Sequence, residues 1–397
     1  VKKHLYLLMV TIMVTVMSEL QVAGMMPAMA ADLGVSTGQI GLLVSVYAAG
    51  MAVGGPLFAY FLRHAPVKGA LLAIVALYAV AQVLVPLVDA FWWVALIRVI
   101  TGALAGASFG LSVTYAAQLA SSPQKIGEAV SIVLGGIMVG TVLGLPLSHF
   151  ISDRWGWQSS FYVLGVITFA LFLASLALLP RAEAATQDAA AQDVRNLRKP
   201  SLWARYLVSL LTIGAAYASF SFFTPLLESN AGFSTNATTI ILFVYGICAY
   251  IGNMIVGKFA DQHAVGVLSL GHGLLFVALV LLAVFSDLQP LSLAMVIVVG
   301  FVGVTMNPAL VTRVAEVGGA GTMASTIHTA VISAGVTLGS AVSSTAMSST
   351  SNDDPSIAMW TGAVLAILAA LALAAQTRSR RVETASSQQE AGNISRS

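Results

Sequence analysis

The sequence predicts an all-α integral membrane protein built as twelve transmembrane helices in two pseudo-symmetric six-helix halves, and three observations carry that prediction. The 397 residues are 58% hydrophobic and only 9% charged, with mean hydropathy +0.90, whereas a soluble domain carries about a quarter of its residues as charged side chains. The apolar residues are gathered into long runs separated by short polar breaks. Glycine patterns recur between the two ends of the chain at a nearly constant offset.

The first six runs are Leu5 to Met29, Ile40 to Leu62, Gly69 to Val88, Phe91 to Leu119, Ala129 to Phe150 and Ser159 to Leu179. The second six are Tyr206 to Leu227, Ala237 to Val256, Ala264 to Phe285, Leu291 to Val311, Thr322 to Met347 and Ile357 to Ala375. Each is near the roughly 20 residues that cross a hydrocarbon core of about 30 Å at about 1.5 Å per residue. Lys2, Lys3 and Ala28-Met29-Ala30 give the first run some features of a secretory signal. It is longer than the roughly 7 to 15 apolar residues of such a signal and contains Glu19, so it reads as the first span. The single cysteine, Cys248, lies within a run and excludes an internal disulfide framework.

Lysine and arginine concentrate on the cytoplasmic side of membrane proteins. With both termini cytoplasmic, sixteen of the eighteen basic residues fall inside, Arg154 falls outside and Arg98 lies within a span. The net charge of +2 then reflects topology and predicts no nucleic-acid partner. The expected location is the inner cell membrane, with the lipid bilayer as surroundings and the chain as a monomer.

Residues 1–180 form the expected N-terminal half, 181–202 a polar cytoplasmic linker, 203–377 the C-terminal half, and 378–397 a polar tail with too little apolar surface to fold. The halves repeat: Gly136 and Gly140 in span five recur as Gly335 and Gly339 in span eleven. Duplicated six-span halves are characteristic of secondary transporters, which bind substrate between the repeats near the bilayer midplane.

An ionisable side chain inside a span costs several kcal/mol, of the order of 3, unless it is paired or faces water, so each one is a functional candidate. Glu19 and Arg98 lie at matching depths, both about 10 Å from the outer edge. Thr11, Thr15, Ser18 and Glu19 form a polar stripe at helical spacing. Burial favours a neutral Glu19 and a nearby Arg98 favours a charged one, opposed influences that suit a proton carrier; a fixed structural ion pair is the alternative. Span eleven carries Ser325, His328, Thr329, Ser333 and Ser340 on one stripe. His328 either meets substrate or proton, or is hydrogen-bonded to a neighbouring helix. Asn307, beside Pro308, and the aromatic Tyr47, Tyr115 and Tyr245 complete the candidate cavity, packing being the other role open to the tyrosines. Gly136, Gly140 and Gly144, with Pro146 beyond them, make one face of span five small, either as a hinge or as static packing.

Gly252 to Lys258 reads as a phosphate loop, but Phe259 stands where magnesium needs Ser or Thr, and no strand precedes it. The sequence offers no metal-ligand cluster and no catalytic constellation, so neither a cofactor nor enzymatic activity is expected.

Several segments resemble the major facilitator superfamily, and more narrowly its proton-coupled drug and sugar efflux branch. Arg98-Val99-Ile100-Thr101-Gly102 looks like the R-x-x-x-G motif, whose arginine the resemblance implicates in proton coupling. Gly136 to Pro146 resembles the glycine-proline motif of antiporters. Gly257-Lys258-Phe259-Ala260-Asp261 is similar to the G-x-L-x-D gating motif; its counterpart after span two, Gly55 to Lys68, lacks the acidic residue. Ser18-Glu19-Leu20 through Pro27 looks like the opening segment of the efflux branch, and Ala231-Gly232-Phe233-Ser234 like a segment of its sugar-efflux members. The resemblance implies a proton-driven antiporter exporting a sugar, nucleoside or drug-like solute by alternating access, with Glu19 exchanging protons and Arg98 tuning it. An uptake symporter or facilitator on the same fold is the alternative, since fold alone does not fix direction, and a membrane-embedded enzyme or sensor is a more distant one.

Overall fold

The computed structural model describes residues 2–62, 65–120, 126–180, 199–318, 322–350 and 353–394, without the side chains of residues 59, 127–128, 261, 322–323, 325–326 and 379–394. Twelve helices are long and apolar enough to cross a membrane, and among the described residues there is no strand. They are α1 (Lys2–Leu33), α2 (Thr37–Phe61), α3 (Val67–Leu84), α4 (Phe91–Leu119), α5 (Ile126–Trp155) and α6 (Trp157–Leu178). After the linker come α7 (Pro200–Phe220), α8 (Thr235–Ala260), α9 (Gln262–Val284), α10 (Gln289–Gly318), α11 (Thr322–Ser348) and α12 (Ser356–Ile394). A non-helical His263 (φ −132°, ψ 31°) marks the kink near the α8–α9 boundary.

The expected spans are all present, and the differences lie at their ends. Helix α7 starts at Pro200, six residues before the apolar run, because proline at the first helical position gives up a donor that has no partner there anyway. Beyond Arg378 the chain continues as helix to Ile394, where the sequence reading leaves a tail without structure. Alanine, glutamine, glutamate and arginine, which recur there, are good helix formers. Linker residues 181–198 lie outside the described residues.

Two helices break where proline removes a ladder donor. Helix α7 stops before Pro225 and resumes as a π turn, Leu226–Asn230. Helix α10 breaks at Gly303 (ψ −106°), passes through a 3₁₀ turn over Val304–Met306 and restarts at Asn307-Pro308.

Packing follows the repeat. In the first half α1 packs on α5, α2 on α4 and α3 on α6; in the second α7 packs on α11 and α8 on α10, and Gly362 of α12 meets Leu279 of α9. The close crossings are equivalent as well. The Tyr47 carbonyl of α2 sits against Gly102 of α4, and the Tyr245 carbonyl of α8 against Gly300 of α10. The halves meet along α2–α11 and α5–α8, the pairs that a two-fold exchange of halves interconverts. Large apolar side chains such as Trp92, Phe61 and Leu371 are exposed on the outside, as a lipid-facing surface requires.

Polar contacts between the halves gather at the distal end, the end away from the termini. The Asp353 carboxylate accepts from the backbone N–H groups of Thr37 and Gly38, capping α2 from the other half. Ser36 pairs with Ser348 at 3.3 Å, and, deeper, Ser45 with Ser340 at 2.8 Å.

The neighbouring Asp354 accepts from Ser356 N–H at 2.9 Å, Ser356 Oγ at 2.6 Å and Asn230 at 2.8 Å, tying the start of α12 to the π turn. Partial burial pushes its carboxyl up, but these hydrogen bonds outweigh it and hold the group below the usual carboxylate range. A depressed carboxylate contributes stability above its unfolded value of about 3.9 and loses it as pH falls through the folded value. The difference in unfolding temperature between wild type and Asp354→Asn is therefore expected at pH near 6 and should close below about pH 4. A difference independent of pH would contradict this role for the ionised group.

Candidate functional site

Arg98 organises the interior of the first half. It is wholly buried (0% exposed) on α4. Its Nη1 donates to the Ser18 carbonyl at 3.0 Å and to Ser18 Oγ at 3.2 Å, and its Nη2 donates to the Glu19 carbonyl at 3.5 Å. Its guanidinium lies 4.1 Å from the centre of the Tyr47 ring, a cation–π contact inside a dry site. The Tyr47 hydroxyl donates to the Thr15 carbonyl at 3.0 Å and lies 3.1 Å from the Tyr78 hydroxyl. Gln82 of α3 donates to Ser18 Oγ at 2.6 Å, Gln21 does so at 3.3 Å, and Ser160 of α6 donates to Gln21 at 3.4 Å. Helices α3 and α4 thus meet Ser18 of α1, and α2 and α6 join the same network through Arg98 and Gln21.

This geometry separates Glu19 from Arg98. The arginine donates to backbone carbonyls, and among the described residues no ion pair within 4 Å joins the two side chains. The Glu19 carboxyl, 8% exposed, instead interacts with Tyr217 of α7. A buried acid of the first half therefore faces the second half, beside a fixed positive charge whose hydrogen bonds go to α1 and whose Nε is buried without a partner. Such a group can bind and release a proton while its partner helix moves.

The other expected site residues are dispersed. Tyr47 is under Arg98, with its hydroxyl engaged. Tyr115 donates to the Pro180 carbonyl at the end near the termini, joining α4 to the exit of α6. Tyr245 stacks on Phe220 at 5.5 Å and meets Phe223 edge-on at 5.5 Å, with its buried hydroxyl unpartnered. Asn307 starts the second piece of α10, with Oδ1 buried and unpartnered. His328 stacks on Tyr206 at 6.0 Å and contacts Ser209 at 2.9 Å, also towards the termini. The Ser325 and Asp261 side chains lie outside the described residues, and Gly257 has open space around it.

The small face of α5 packs on α1. A Cβ at Gly136 would meet the Met9 carbonyl at 2.2 Å, at Gly140 the Met13 carbonyl at 2.8 Å, and at Gly144 the Leu20 side chain at 3.1 Å. Pro146 deprives the Val142 carbonyl of its helical donor, and Val142 is where Gly246 of α8 crosses, so closely that a Cβ at Gly246 would lie 2.8 Å from that carbonyl oxygen. Helix α5 is thereby held between its own half and the other.

Sequence reasoning did not single out Gln21, Tyr78, Gln82, Ser160 or Tyr217. The glutamines carried a usable signal, since an amide inside an apolar run needs a partner. The tyrosines carried none, because their partners are on other helices.

Comparison with known proteins agrees with the architecture. Residues 7–327 match the model of the Major Facilitator Superfamily. The chain is 31% identical over 374 residues to the chloramphenicol resistance protein of Streptomyces lividans, covering 92% of this chain and 94% of that one. It is 28% identical over 329 residues to the inner membrane transport protein YdhP of Escherichia coli K12, covering 82% and 83% respectively. Among solved structures, a bacterial homolog of the human lysosomal transporter Spinster, inward-facing and unoccupied, superposes with TM-score 0.75 at 16% identity over 95% of this chain and 97% of that one. With its twelve spans, its two equivalent halves and a family match across most of its length, the chain belongs to the major facilitator superfamily and is a multi-pass membrane transporter.

Proposed function

We propose that this transporter exports a small organic solute in exchange for protons by alternating access, with Glu19 as the group that gains and loses the proton and Arg98 as the fixed charge that tunes it. The observation that carries the reading is the placement of Glu19. It is buried, not ion-paired to Arg98, and partnered by Tyr217 of the other half, so its protonation is tied to the contact between halves. The chloramphenicol resistance relative supports export of a drug-like compound; sugars and nucleosides belong to the same candidate range. In this reading the distal end faces outward, both termini are cytoplasmic, the membrane is the inner membrane and the unit is a monomer.

The test is proton release on adding chloramphenicol, sugars or nucleosides to purified protein, comparing wild type with Glu19→Gln, which keeps the shape and removes the titration. Release from wild type alone is the expected result. Equal release from both would place the coupling proton elsewhere and refute the assignment. Transport against a proton gradient in proteoliposomes, abolished by an uncoupler, is the companion result expected for export; accumulation along that gradient would point to symport.

A further inference from the structure

His149 lies near the distal end of α5, its side chain 6% exposed, and reaches across the seam between the halves. Its Nδ1 is 2.9 Å from the Gly24 carbonyl of α1. Its Nε2 is 3.2 Å from the Thr235 carbonyl of α8 and 3.3 Å from Oε1 of Glu228 in the π turn. Carbonyl and carboxylate oxygens only accept. A neutral imidazole has one N–H and one lone pair, so either tautomer leaves one ring nitrogen with its lone pair aimed at an acceptor oxygen. The imidazolium alone donates on both sides. Oε1 of Glu228 is buried and has no hydrogen-bond partner, so the imidazolium 3.3 Å away is its counter-charge.

The elements packed on α5 are α1, α4, α6 and α8. Their charged groups are Lys2, Lys3, Glu19 and Asp32 of α1, Arg98 of α4 and Lys258 at the far end of α8, while α6 has none. His4 of α1 lies at the terminal end. Asp32 is occupied by Trp157 and Gln158, and Arg98 by α1. On α5 itself Arg154 covers the Phe150 ring and Asp153 is exposed. Glu228 is the charged group in contact with His149.

We propose that His149 is a second proton-binding site of this transporter, in which the imidazolium latches the halves together at the distal end and loss of its proton releases them. The proton exchanges with water at that end, where the Glu228 side chain is 22% exposed. Once it leaves, a lone pair opposes a carbonyl about 3 Å away and the buried Glu228 oxygen loses its counter-charge, and both changes favour separation of α5 from α8 and the π turn. The inference rests on the alternating-access reading but not on Glu19 as the coupling group.

The test is the distance between spin labels at Asp89→Cys and Asp287→Cys, exposed distal-loop positions of the two halves, in a Cys248→Ser background from about pH 5 to about pH 8, the range over which imidazoles titrate. Wild type is expected to show one short distance at acid pH and a growing longer one as pH rises. His149→Gln should lose the pH response. Glu228→Gln, which leaves the histidine in place, should move the midpoint of opening to lower pH by about one unit. A wild-type distance that does not change with pH, or a pH response retained unchanged in both His149→Gln and Glu228→Gln, overturns the proposal. Loss of the response in Glu19→Gln but not in His149→Gln overturns it while leaving the Glu19 reading intact. Loss in His149→Gln, together with substrate-driven proton release surviving in Glu19→Gln, supports the latch and removes Glu19 as the coupling site.

Discussion

Gly102→Ala is expected to lower the unfolding temperature of the purified protein well below that of wild type and to halt transport with it. The added methyl would lie 2.0 Å from the Tyr47 carbonyl oxygen, 2.8 Å from its carbon and 3.0 Å from its Cα. These are backbone atoms of a helix, so no rotamer change relieves the clash and α2 must move away from α4. Overpacking of this kind costs about 1–3 kcal/mol. Tyr47 moves with α2, and its ring is the surface on which Arg98 rests, so the site is disturbed as well as the fold. The repeat supplies a graded control. At the equivalent Gly300 the nearest atoms, Cys248 Cβ and the Tyr245 carbonyl, are 3.0 and 3.1 Å away, so Gly300→Ala should lose less. Gly110 has open space around it, and Gly110→Ala should be neutral or gain up to about 1 kcal/mol of helix propensity. Thermal unfolding followed by size-exclusion fluorescence ranks the three, and equal losses at Gly102 and Gly110 would contradict the crossing as the cause.

The same crossings show what was legible in the sequence. Hydropathy located every span because a helix in hydrocarbon must satisfy its backbone internally and show apolar side chains around most of its circumference. Glycine spacing revealed the repeat because close helix approach leaves room for little else, and Gly136 and Gly335 do occupy equivalent contacts, on α1 and α7. Glu19 and Arg98 were visible as charges in apolar runs. Their relation was not, because one guanidinium can meet either a carboxylate or two carbonyls of the same helix, and sequence depth is the same for both. Tyr217 and Glu228 escaped for a related reason: their partners are on the other half, and the π turn that carries Glu228 depends on Pro225 breaking α7. His149 could have been found. It is an ionisable residue within the fifth apolar run, so the rule that flagged Glu19 applied equally to it.

Arg98→Met is expected to abolish proton-coupled transport while leaving thermal stability within about 1 kcal/mol of wild type. Burying a guanidinium costs several kcal/mol of desolvation, and replacing a buried charge by an apolar side chain of similar size is often neutral or stabilising. Against that stand hydrogen bonds to the carbonyls of Ser18 and Glu19 and the contact with Tyr47. A hydrogen bond to a charged group contributes about 1.5–3 kcal/mol, and a desolvated cation–π contact about 2 kcal/mol, before the desolvation is subtracted. The two sides nearly cancel. The substitution also strands little, since the Ser18 and Glu19 carbonyls lie within α1 and Ser18 Oγ keeps Gln82 and Gln21. Arg98→Ala should be less stable than Arg98→Met, because it leaves a cavity against Tyr47. Arg98→Lys keeps the charge but not the planar fork that spans two carbonyls and stacks on a ring, so partial recovery of transport is expected. Unfolding temperatures and proton release on the three variants decide the matter. A folded, stable Arg98→Met protein without proton exchange places the charge in the coupling mechanism. A Met variant that unfolds like the Ala variant makes Arg98 a structural pin between α1 and α4 and leaves Glu19 to act without it.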